Sequence, residues 1–449
     1  MKKLTTLSLA LCVCLVSVAW AGDDYGGMRI DSVKAEENAI RVSSTGAEFV
    51  FNLPSGGIDL FQRIPQRRRV GTIIGLNLKG AKLKLEEGQC RITVPATRDV
   101  FTISGDSLLR ISFGSAASVE VQGLYNPAKK VTTTNGFFLP DESGGIGLYS
   151  FGPVTAQAPG NWQPPWSIPF KFSGSGQLWV SVFPPRPFDW AQSREGMLHS
   201  FSWKNPYPSD KQLKEWRKFG SVLTLHSWIW QGTNGRNMRV EKDDSWLTRD
   251  FKPKSEEELT RVTKTAHRLK MKVIPYMSGF YQSDPTPAGI DKFVKQIEDA
   301  RRTYGFDGVY FDGIYYDIPA SYELMRRVRK VIGNEGILHI HVTGFPKISF
   351  IECYADYTLR GEHARLMSKD YTRWTISDWN MSNSIGMTCY DRTRPSKTLI
   401  ETMLAAHGRL PIWVDDGTWD GAAYHLTAPE LELMENEYLP RLQQEQESR

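Results

Sequence analysis

The sequence predicts an α/β protein in which an all-β sandwich domain precedes a (β/α)8 TIM-type barrel. Residues 28–182 contain short strands of alternating or β-branched character, separated at short intervals by Gly, Asn, Ser and Pro. Beyond the Pro-rich stretch 164–187, short apolar strands alternate with helices, which is typical of parallel βα units. An open doubly wound sheet is the alternative architecture for this second region.

Composition excludes several classes of protein. The chain has 449 residues, 40% of them hydrophobic, so it is long enough for two or three domains and is not predominantly disordered. Its 55 basic and 50 acidic side chains give a formal charge of +5, which is too balanced for a nucleic-acid partner. Thirteen of the 14 Trp fall between Trp162 and Trp419 and none between residues 22 and 161, so the aromatic excess belongs to the second region.

The N-terminus has the features of a secretory signal. Lys2 and Lys3 precede an apolar run over residues 7–19, and Ala19-Trp20-Ala21 is a small-x-small cleavage site. The run is shorter than the roughly 20 residues that span a bilayer, so we expect no stable membrane insertion after cleavage. We predict cleavage after Ala21 and a secreted or periplasmic protein.

Cleavage would leave three cysteines, Cys90, Cys353 and Cys389. Three thiols cannot form a disulfide framework, so we expect separately buried side chains, with one bridge between Cys353 and Cys389 as the alternative. No CxxC or paired Cys/His spacing indicates structural zinc. We predict no cofactor.

These observations divide the chain into a signal peptide (1–21), a β-sandwich (22–175) and a barrel with a C-terminal helix (176–449). The sandwich is interpreted as a support without chemistry. Helices are predicted over residues 255–270, 288–304, 320–332 and 396–408, the first of them with a Ser cap and an acidic first turn. Eight strands close a barrel, and the sequence offers them over residues 178–182, 221–228, 272–278, 308–312, 337–343, 355–362, 384–390 and 410–415.

Strand alternation predicts which side chains point into the barrel. If the apolar face of each strand packs on the helices, the opposite face points inward. The inward set is then polar: Thr224, His226, Trp228, Tyr310, Asp312, His339, His341, Thr343, Asp356, Thr358, Arg360, Glu362, Trp413 and Asp415. Because barrel enzymes carry their chemistry at the C-terminal strand ends, the carboxylates at those ends are candidate catalytic groups.

Three such carboxylates suit a reaction that needs one acid and one anion, and glycoside hydrolysis has this requirement. We predict Asp312 as nucleophile or transition-state carboxylate, Glu362 as general acid/base, and Asp415 as the reserve for either role. An oligo- or polysaccharide is the expected substrate, because indole faces stack on sugar rings and polar groups hold hydroxyls. The candidate substrate-binding residues are His226, Trp228, Tyr276, Tyr310, His341, Arg360 and Trp413.

Residues 304–313 (YGFDGVYFDG) resemble the GFDGVYxD strand motif of many (β/α)8 glycoside hydrolases, and this likeness implies a catalytic or substrate-binding role for Asp312. Asp307 matches the first Asp of the motif and is interpreted as structural. Residues 356–362 resemble a later strand that ends in an acidic residue, here Glu362. With a sandwich before the barrel, the chain is similar to glycoside hydrolase family 123 and its uncharacterised relatives. That family uses adjacent Asp-Glu residues in substrate-assisted hydrolysis of N-acetylgalactosaminides, whereas Gly313 follows Asp312 here.

Two alternative functions remain open. His226, His339, His341 and Asp312 could ligate a metal that activates water for amide or ester hydrolysis, although the His-x-His lies four or five strands into the barrel. A catalytically silent carbohydrate-binding envelope protein would keep the aromatic side chains without needing converging carboxylates. Retention and inversion differ in carboxyl separation, roughly 5 Å against 6.5 to 9.5 Å, a distance that sequence does not provide.

Overall fold

The structure is a computed structural model that describes residues 16–19, 27–86, 88–133, 135–187, 196–200, 202, 204–231, 251–315, 317–341, 348–361, 382–385, 396–405, 412–414 and 428–447. The chain divides into two compact units. One comprises Met1–Pro187 with Pro346–Cys353, and the other comprises Phe188–Phe345 with Tyr354–Arg449.

The described residues of the first unit form two antiparallel sheets. Their strands are β1 (Val16–Ala19), β2 (Ile30–Ala35), β3 (Ala39–Ser44), β4 (Ala47–Asn52), β5 (Gly57–Gln62), β6 (Arg68–Ile74), β7 (Lys82–Glu86), β8 (Gln89–Val94), β9 (Asp99–Ser104), β10 (Leu108–Phe113), β11 (Ala117–Gly123), β12 (Val131–Thr133), β13 (Gly136–Pro140), β14 (Gly145–Phe151), β15 (Val154–Ala156), β16 (Trp166–Phe172) and β17 (Gly176–Phe183). The sheet orders are β1-β2-β3-β4-β5-β6-β11-β16-β15 and β12-β13-β14-β17-β10-β9-β8-β7.

One hydrophobic core joins the two sheets. Its buried side chains come from alternate positions of strands in both sheets, as the period of two along each strand requires. Phe51 of β4 meets Phe101 of β9 edge to face, with 5.5 Å between the ring centroids. Cys90 and Cys353 are buried free thiols in this unit, so Cys353 is not in a bridge, and Cys389 lies outside the described residues.

The prediction that residues 178–182 form a barrel strand is wrong. They lie in β17, which pairs antiparallel with β10 and β14. This strand is buried over most of its length, partly because Phe350 of helix α6 (Ser349–Glu352) packs on Trp179 at 5.5 Å between ring centroids. A strand covered on both faces shows the continuous apolar run that is typical of a parallel sheet, which explains the error.

The described part of the second unit contains eight parallel strands in two four-stranded sheets: β18 (Met197–Ser200), β19 (Val222–Leu225), β20 (Lys272–Pro275), β21 (Gly308–Asp312), β22 (Ile337–His341), β23 (Tyr357–Gly361), β24 (Ser382–Ile385) and β25 (Ile412–Val414). The orders are β20-β19-β18-β25 and β21-β22-β23-β24, and a parallel bridge between Tyr276 and Tyr310 links β20 to β21. Consecutive strands are therefore neighbours, and the last pairs with the first. Among the described pairings, none joins β24 to β25.

Helices follow most of these strands. The predicted helices at 255–270, 288–304 and 320–332 are confirmed, each with the side-chain N-cap that its first residues require: Ser255, Thr286 and Asp317. Among the described residues no helix is long and apolar enough to cross a bilayer. The bounds are α1 (Asp210–Trp216), α2 (Glu256–Arg268), α3 (Gly279–Gln282), α4 (Pro287–Tyr304), α5 (Ile318–Ile332), α7 (Lys397–Ala405), α8 (Ala428–Leu433), a π-helix (Met434–Tyr438) and α9 (Leu439–Glu447).

We call the face of the parallel strands opposite the helices the inner face. Its apolar cluster consists of Met197, Val222, Ile274, Tyr276, Tyr310, Ile337 and Tyr357. Residues two positions apart along a strand lie on the same face, so residues two or four positions from a cluster member share its face. The inward prediction is therefore confirmed for Thr224, His226, Asp312, His339 and His341, since each shares a strand face with a member of the cluster.

The inward prediction is wrong for Asp356 and Thr358 of β23. The pairing register of this strand shifts between Leu359 and Gly361, so alternation counted from Tyr357 does not extend to Arg360 and Glu362. Tyr357 lies in the inner cluster and its ring centroid is 6.2 Å from that of His339. Asp356 instead accepts a hydrogen bond from Arg329 of α5 at 2.5 Å and another from the Leu338 N–H at 2.7 Å. Alternation along the strand predicts an inward Asp356 carboxylate. It does not take into account the buried Arg329 guanidinium, which lies on a helix 27 residues earlier in the chain. Thr358 directly follows Tyr357, so its side chain lies on the opposite face, with Asp356, and it is buried there.

Candidate active site at the C-terminal strand ends

Asp312 is the last residue of β21, and the backbone around it is held from both sides. The Gly313 N–H donates to the His341 carbonyl at 2.9 Å, and the Ser278 hydroxyl donates to the Asp312 carbonyl. Gly313 has φ of 86°, in the left-handed region, and a Cβ there would lie 3.0 Å from the Phe280 Cβ. The glycine that follows Asp312 is therefore required by the turn that ends the strand.

Two side-chain donors hold the Asp312 carboxylate. The Tyr276 hydroxyl donates to Oδ2 at 2.9 Å, and the His341 Nδ1 lies 2.9 Å from Oδ1. The Tyr310 hydroxyl lies 3.4 Å from the same Nδ1. The Asp312 side chain remains 26% exposed, so the carboxylate has donors on two sides and an open side as well.

This arrangement keeps Asp312 ionised. Burial raises the pKa of the carboxyl, but the hydrogen bond and the charge of His341 and the hydrogen bond from Tyr276 lower it by more. The pKa of Asp312 consequently lies below its ordinary value, which suits an anion rather than a proton donor.

Three further histidines lie buried on the inner face near Asp312: His199, His226 and His339. Burial lowers the pKa of all three, that of His226 to about 3, and the charges of neighbouring histidines lower those of His199 and His339 further. Each is therefore neutral at pH 7. His339 and Thr224 have side-chain polar atoms without a hydrogen-bond partner among the described residues.

His199 is not among the residues that the sequence predicts for this site. This residue lies in β18, and its ring is 4.9 Å from that of Tyr310 and 5.5 Å from that of His226, measured between centroids. The prediction omits it because it gives residues 178–182 the strand position that β18 occupies. The sequence feature that points to His199 is the short segment MLHS at 197–200, which precedes the capping box of α1. His199 lies two positions after the apolar Met197 in this segment and therefore shares its strand face.

The predicted binding residues differ in their placement. His226, Tyr276, Tyr310 and His341 converge near Asp312, whereas Trp228 is 1% exposed and packs on the His226 ring at 4.3 Å between centroids. Both faces of the Trp228 indole are therefore covered by protein. Arg360 and Trp413 lie in β23 and β25, where the structure does not describe their side chains, and the predicted carboxylates Glu362 and Asp415 lie outside the described residues.

The described side chains do not form a metal-binding group. Within the described ranges, no three His, Cys, Asp or Glu side chains are arranged so that they could hold a metal ion. The Tyr276 hydroxyl and the His341 Nδ1 contact the Asp312 carboxylate, and His226 Nδ1 lies 3.0 Å from the Ser227 hydroxyl.

Comparison with known proteins identifies similar structures. No family model matches the chain, and no curated protein matches it. A family 36 α-galactosidase from Geobacillus stearothermophilus in complex with raffinose has a TM-score of 0.45 and 9% identity over 93% of this chain and 71% of its own. The α-galactosidase from Lactobacillus brevis also has a TM-score of 0.45 and 9% identity, over 90% and 83%. A Flavobacterium johnsoniae family 31 dextranase complexed with isomaltotriose has a TM-score of 0.38 and 8% identity, over 92% and 68%.

Proposed function

We propose that this chain is a glycoside hydrolase that uses Asp312 at the C-terminal mouth of a (β/α)8 barrel. The Asp312 carboxylate carries the proposal, because it ends a parallel strand, stays ionised through Tyr276 and His341, and keeps an open side. Such a carboxylate can attack the anomeric carbon or stabilise the positive charge that develops there. Asp312 is thus proposed as nucleophile or transition-state carboxylate.

Strand order supports the barrel part of the proposal. The eight parallel strands are neighbours in chain order, and β25 pairs with β18. Closure of such an arrangement needs one further pairing, between β24 and β25. In a closed barrel the C-terminal ends of all eight strands surround one mouth, where catalytic groups from different strands meet.

Hydrolysis also needs a proton donor for the leaving oxygen. Glu362 is proposed for this role because it directly follows Gly361, the last residue of β23, two strands away from Asp312 in the sheet order. Asp415, which follows Val414 at the end of β25, is the reserve candidate. The resemblance of residues 304–313 to the glycoside hydrolase strand motif supports the same role for Asp312.

The remaining site residues and the location of the protein complete the proposal. Arg360 would hold sugar hydroxyls and Trp413 would stack on a sugar ring, with an oligo- or polysaccharide as substrate. Export through the signal at residues 1–21 would place the enzyme in the periplasm or outside the cell.

A screen of the purified mature protein against glycans and aryl glycosides tests the function. With a responsive substrate, Asp312→Asn and Glu362→Gln should each lower turnover by roughly 10²- to 10⁴-fold while glycan binding, measured by calorimetry, is retained. Full turnover in both variants would refute the site. A zinc or manganese ion at one equivalent, lost together with activity, would instead establish the metal-dependent alternative.

A crystal structure with bound sugar tests the pairing of the two carboxyls. A separation between the Asp312 and Glu362 carboxyls within the retaining or inverting range is the expected result. A distance far above about 10 Å would eliminate Glu362 as the partner and leave Asp415.

A further inference from the structure

Strand pairing places His341 beside Asp312. The two residues are direct partners in the parallel register of β21 and β22, so their side chains leave the inner face at the same height. The hydrogen bond from the Gly313 N–H to the His341 carbonyl joins the two strand ends. The position of the imidazole relative to the carboxylate is therefore determined by the sheet rather than by a loop.

The chemistry of the pair determines which ring nitrogen carries a proton. An ionised carboxylate only accepts hydrogen bonds, so the His341 Nδ1, 2.9 Å from Asp312 Oδ1, must be the donor. The Tyr310 hydroxyl, 3.4 Å from Nδ1, lies beside the same N–H. The imidazole is thus used as a donor to Asp312 in both its neutral and its charged form.

Tyr276 completes a two-sided arrangement around Asp312. Its hydroxyl donates to Oδ2, opposite the oxygen that His341 contacts. The backbone beside Tyr276 is fixed, because its N–H donates to the Leu225 carbonyl and the next N–H donates to the Tyr310 carbonyl, each at 2.9 Å. One donor on each oxygen fixes both the plane and the direction of the carboxylate.

We propose that His341 is a positioning residue that acts through Asp312, holding the carboxylate in one orientation toward the substrate without itself binding a sugar hydroxyl. The inference rests on the proposed glycoside hydrolase function and changes the role that the sequence predicted for His341. In the part of the chain that the structure describes, the titratable groups around Asp312 are His341 and His339 from β22, Tyr276 after β20, Tyr310 on β21 and His199 from β18.

The decisive experiment measures the Asp312 carboxyl directly. Carboxyl ¹³C NMR titration of the full mature chain, with the Asp312 signal assigned by its loss in Asp312→Asn, needs no substrate. His341→Leu removes the donor and should raise the pKa of Asp312, because burial then acts with less opposition. His341→Asn keeps an N–H at the position of Nδ1 and should return the pKa toward that of the unmodified protein. An unchanged pKa in His341→Leu overturns the proposal.

Kinetics on a responsive glycoside give the second measurement. His341→Leu should lower kcat by roughly 10- to 100-fold with little change in KM and should move the acid limb of the pH profile upward, with partial rescue in His341→Asn. A raised KM with unchanged kcat would overturn the proposal, since it identifies His341 as a hydroxyl ligand. If the unmodified protein cleaves no glycoside, the proposed function fails, and the NMR titration alone decides whether His341 acts on Asp312.

His267→Leu and His267→Asn are the matched controls. His267 also pairs with an aspartate of the same strand region, with its Nε2 2.8 Å from Asp307 Oδ2, but at the other end of β21. Neither control should move the Asp312 pKa or the pH profile. Urea unfolding of every variant verifies that the compared proteins are folded.

Discussion

Strand β21 has an Asp–His pair at each of its ends, and the two aspartates differ in which hydrogen bonds their carboxylates form. At the N-terminal end, Asp307 Oδ2 accepts the Val273 N–H at 2.7 Å as well as the His267 contact. The Asp307 carbonyl accepts the Ile337 N–H and its own N–H donates to the Val273 carbonyl. This pair joins three neighbouring strands at their entrance.

At the C-terminal end, the backbone and the carboxylate of Asp312 have separate partners. Ser278 and the adjacent Gly313 N–H hold the strand end, while, among the described residues, the carboxylate receives the side-chain donors Tyr276 and His341. The fold thus orients the carboxylate but does not use its oxygens to join strands. The comparison teaches that an Asp–His pair either joins neighbouring strands or leaves its carboxylate accessible, according to which atoms the backbone uses.

The largest expected effect separates the two ends by activity. Asp312→Asn should lower turnover of a responsive glycoside by up to about 10⁴-fold per folded molecule, because it removes the proposed reacting anion and keeps its shape. Asp307→Asn should keep most of the turnover per folded molecule. Equal loss of turnover in both variants would abolish the distinction between the ends.

Acidification should destabilise the protein through the buried histidines near the C-terminal end. His199, His226 and His339 have folded pKa values below the ordinary 6.5, so below pH 6.5 the unfolded chain binds more protons than the folded one. Stability is therefore full above pH 6.5 and falls as the pH drops toward the folded values, by up to about 4 kcal/mol per pH unit for three groups. Urea unfolding between pH 7.5 and 5 measures the slope, and a pH-independent midpoint would contradict neutral burial.

At the N-terminal end, Asp307→Asn should destabilise the fold by about 1 to 3 kcal/mol. The asparagine can still accept the Val273 N–H through its oxygen but loses the charge that strengthens both of its contacts. Urea unfolding at pH 7.5 measures the change, with Asp291→Asn on α4 as an exposed control. A change within the error of that control would show that Asp307 is not a structural tie.

The smallest effect is expected for His267. Its side chain is 41% exposed and that of Asp307 is 29% exposed, so water screens the contact between them. His267→Gln should cost only about 0.2 to 1 kcal/mol. A loss of several kcal/mol would mean that the histidine, rather than the Val273 N–H, holds the strand entrance together.

Much of this site could be predicted from the sequence. Alternation along β21 and β22 correctly placed Asp312, His339 and His341 on one face, because regular strands turn successive side chains to opposite sides. A Ser cap and an acidic first turn likewise located α2. Strand periodicity and caps act over a few residues, which is why one sequence is enough to recognise them.

The wrong predictions concern residues whose placement depends on contacts with residues far away in the sequence. The strand position that the sequence predicts for residues 178–182 is occupied by β18. The prediction is wrong because Phe350 covers β17, so that this antiparallel strand has the apolar run of a parallel one. Asp356 faces outward because Arg329 is buried beside it. In both cases the partner lies more than 25 positions away along the chain, beyond the reach of any local pattern.

The sequence by itself determined the alternation of short strands and helices, the polar inner face and the candidacy of Asp312, since periodicity and residue type suffice for these features. Only the tertiary structure decided that Tyr276 and His341 hold the two oxygens of Asp312, that His199 joins them, and that Gly313 must follow the carboxylate. The physical reason is that a hydrogen-bonded carboxylate depends on donors from several strands, and strand neighbours are chosen by the packing of the whole unit.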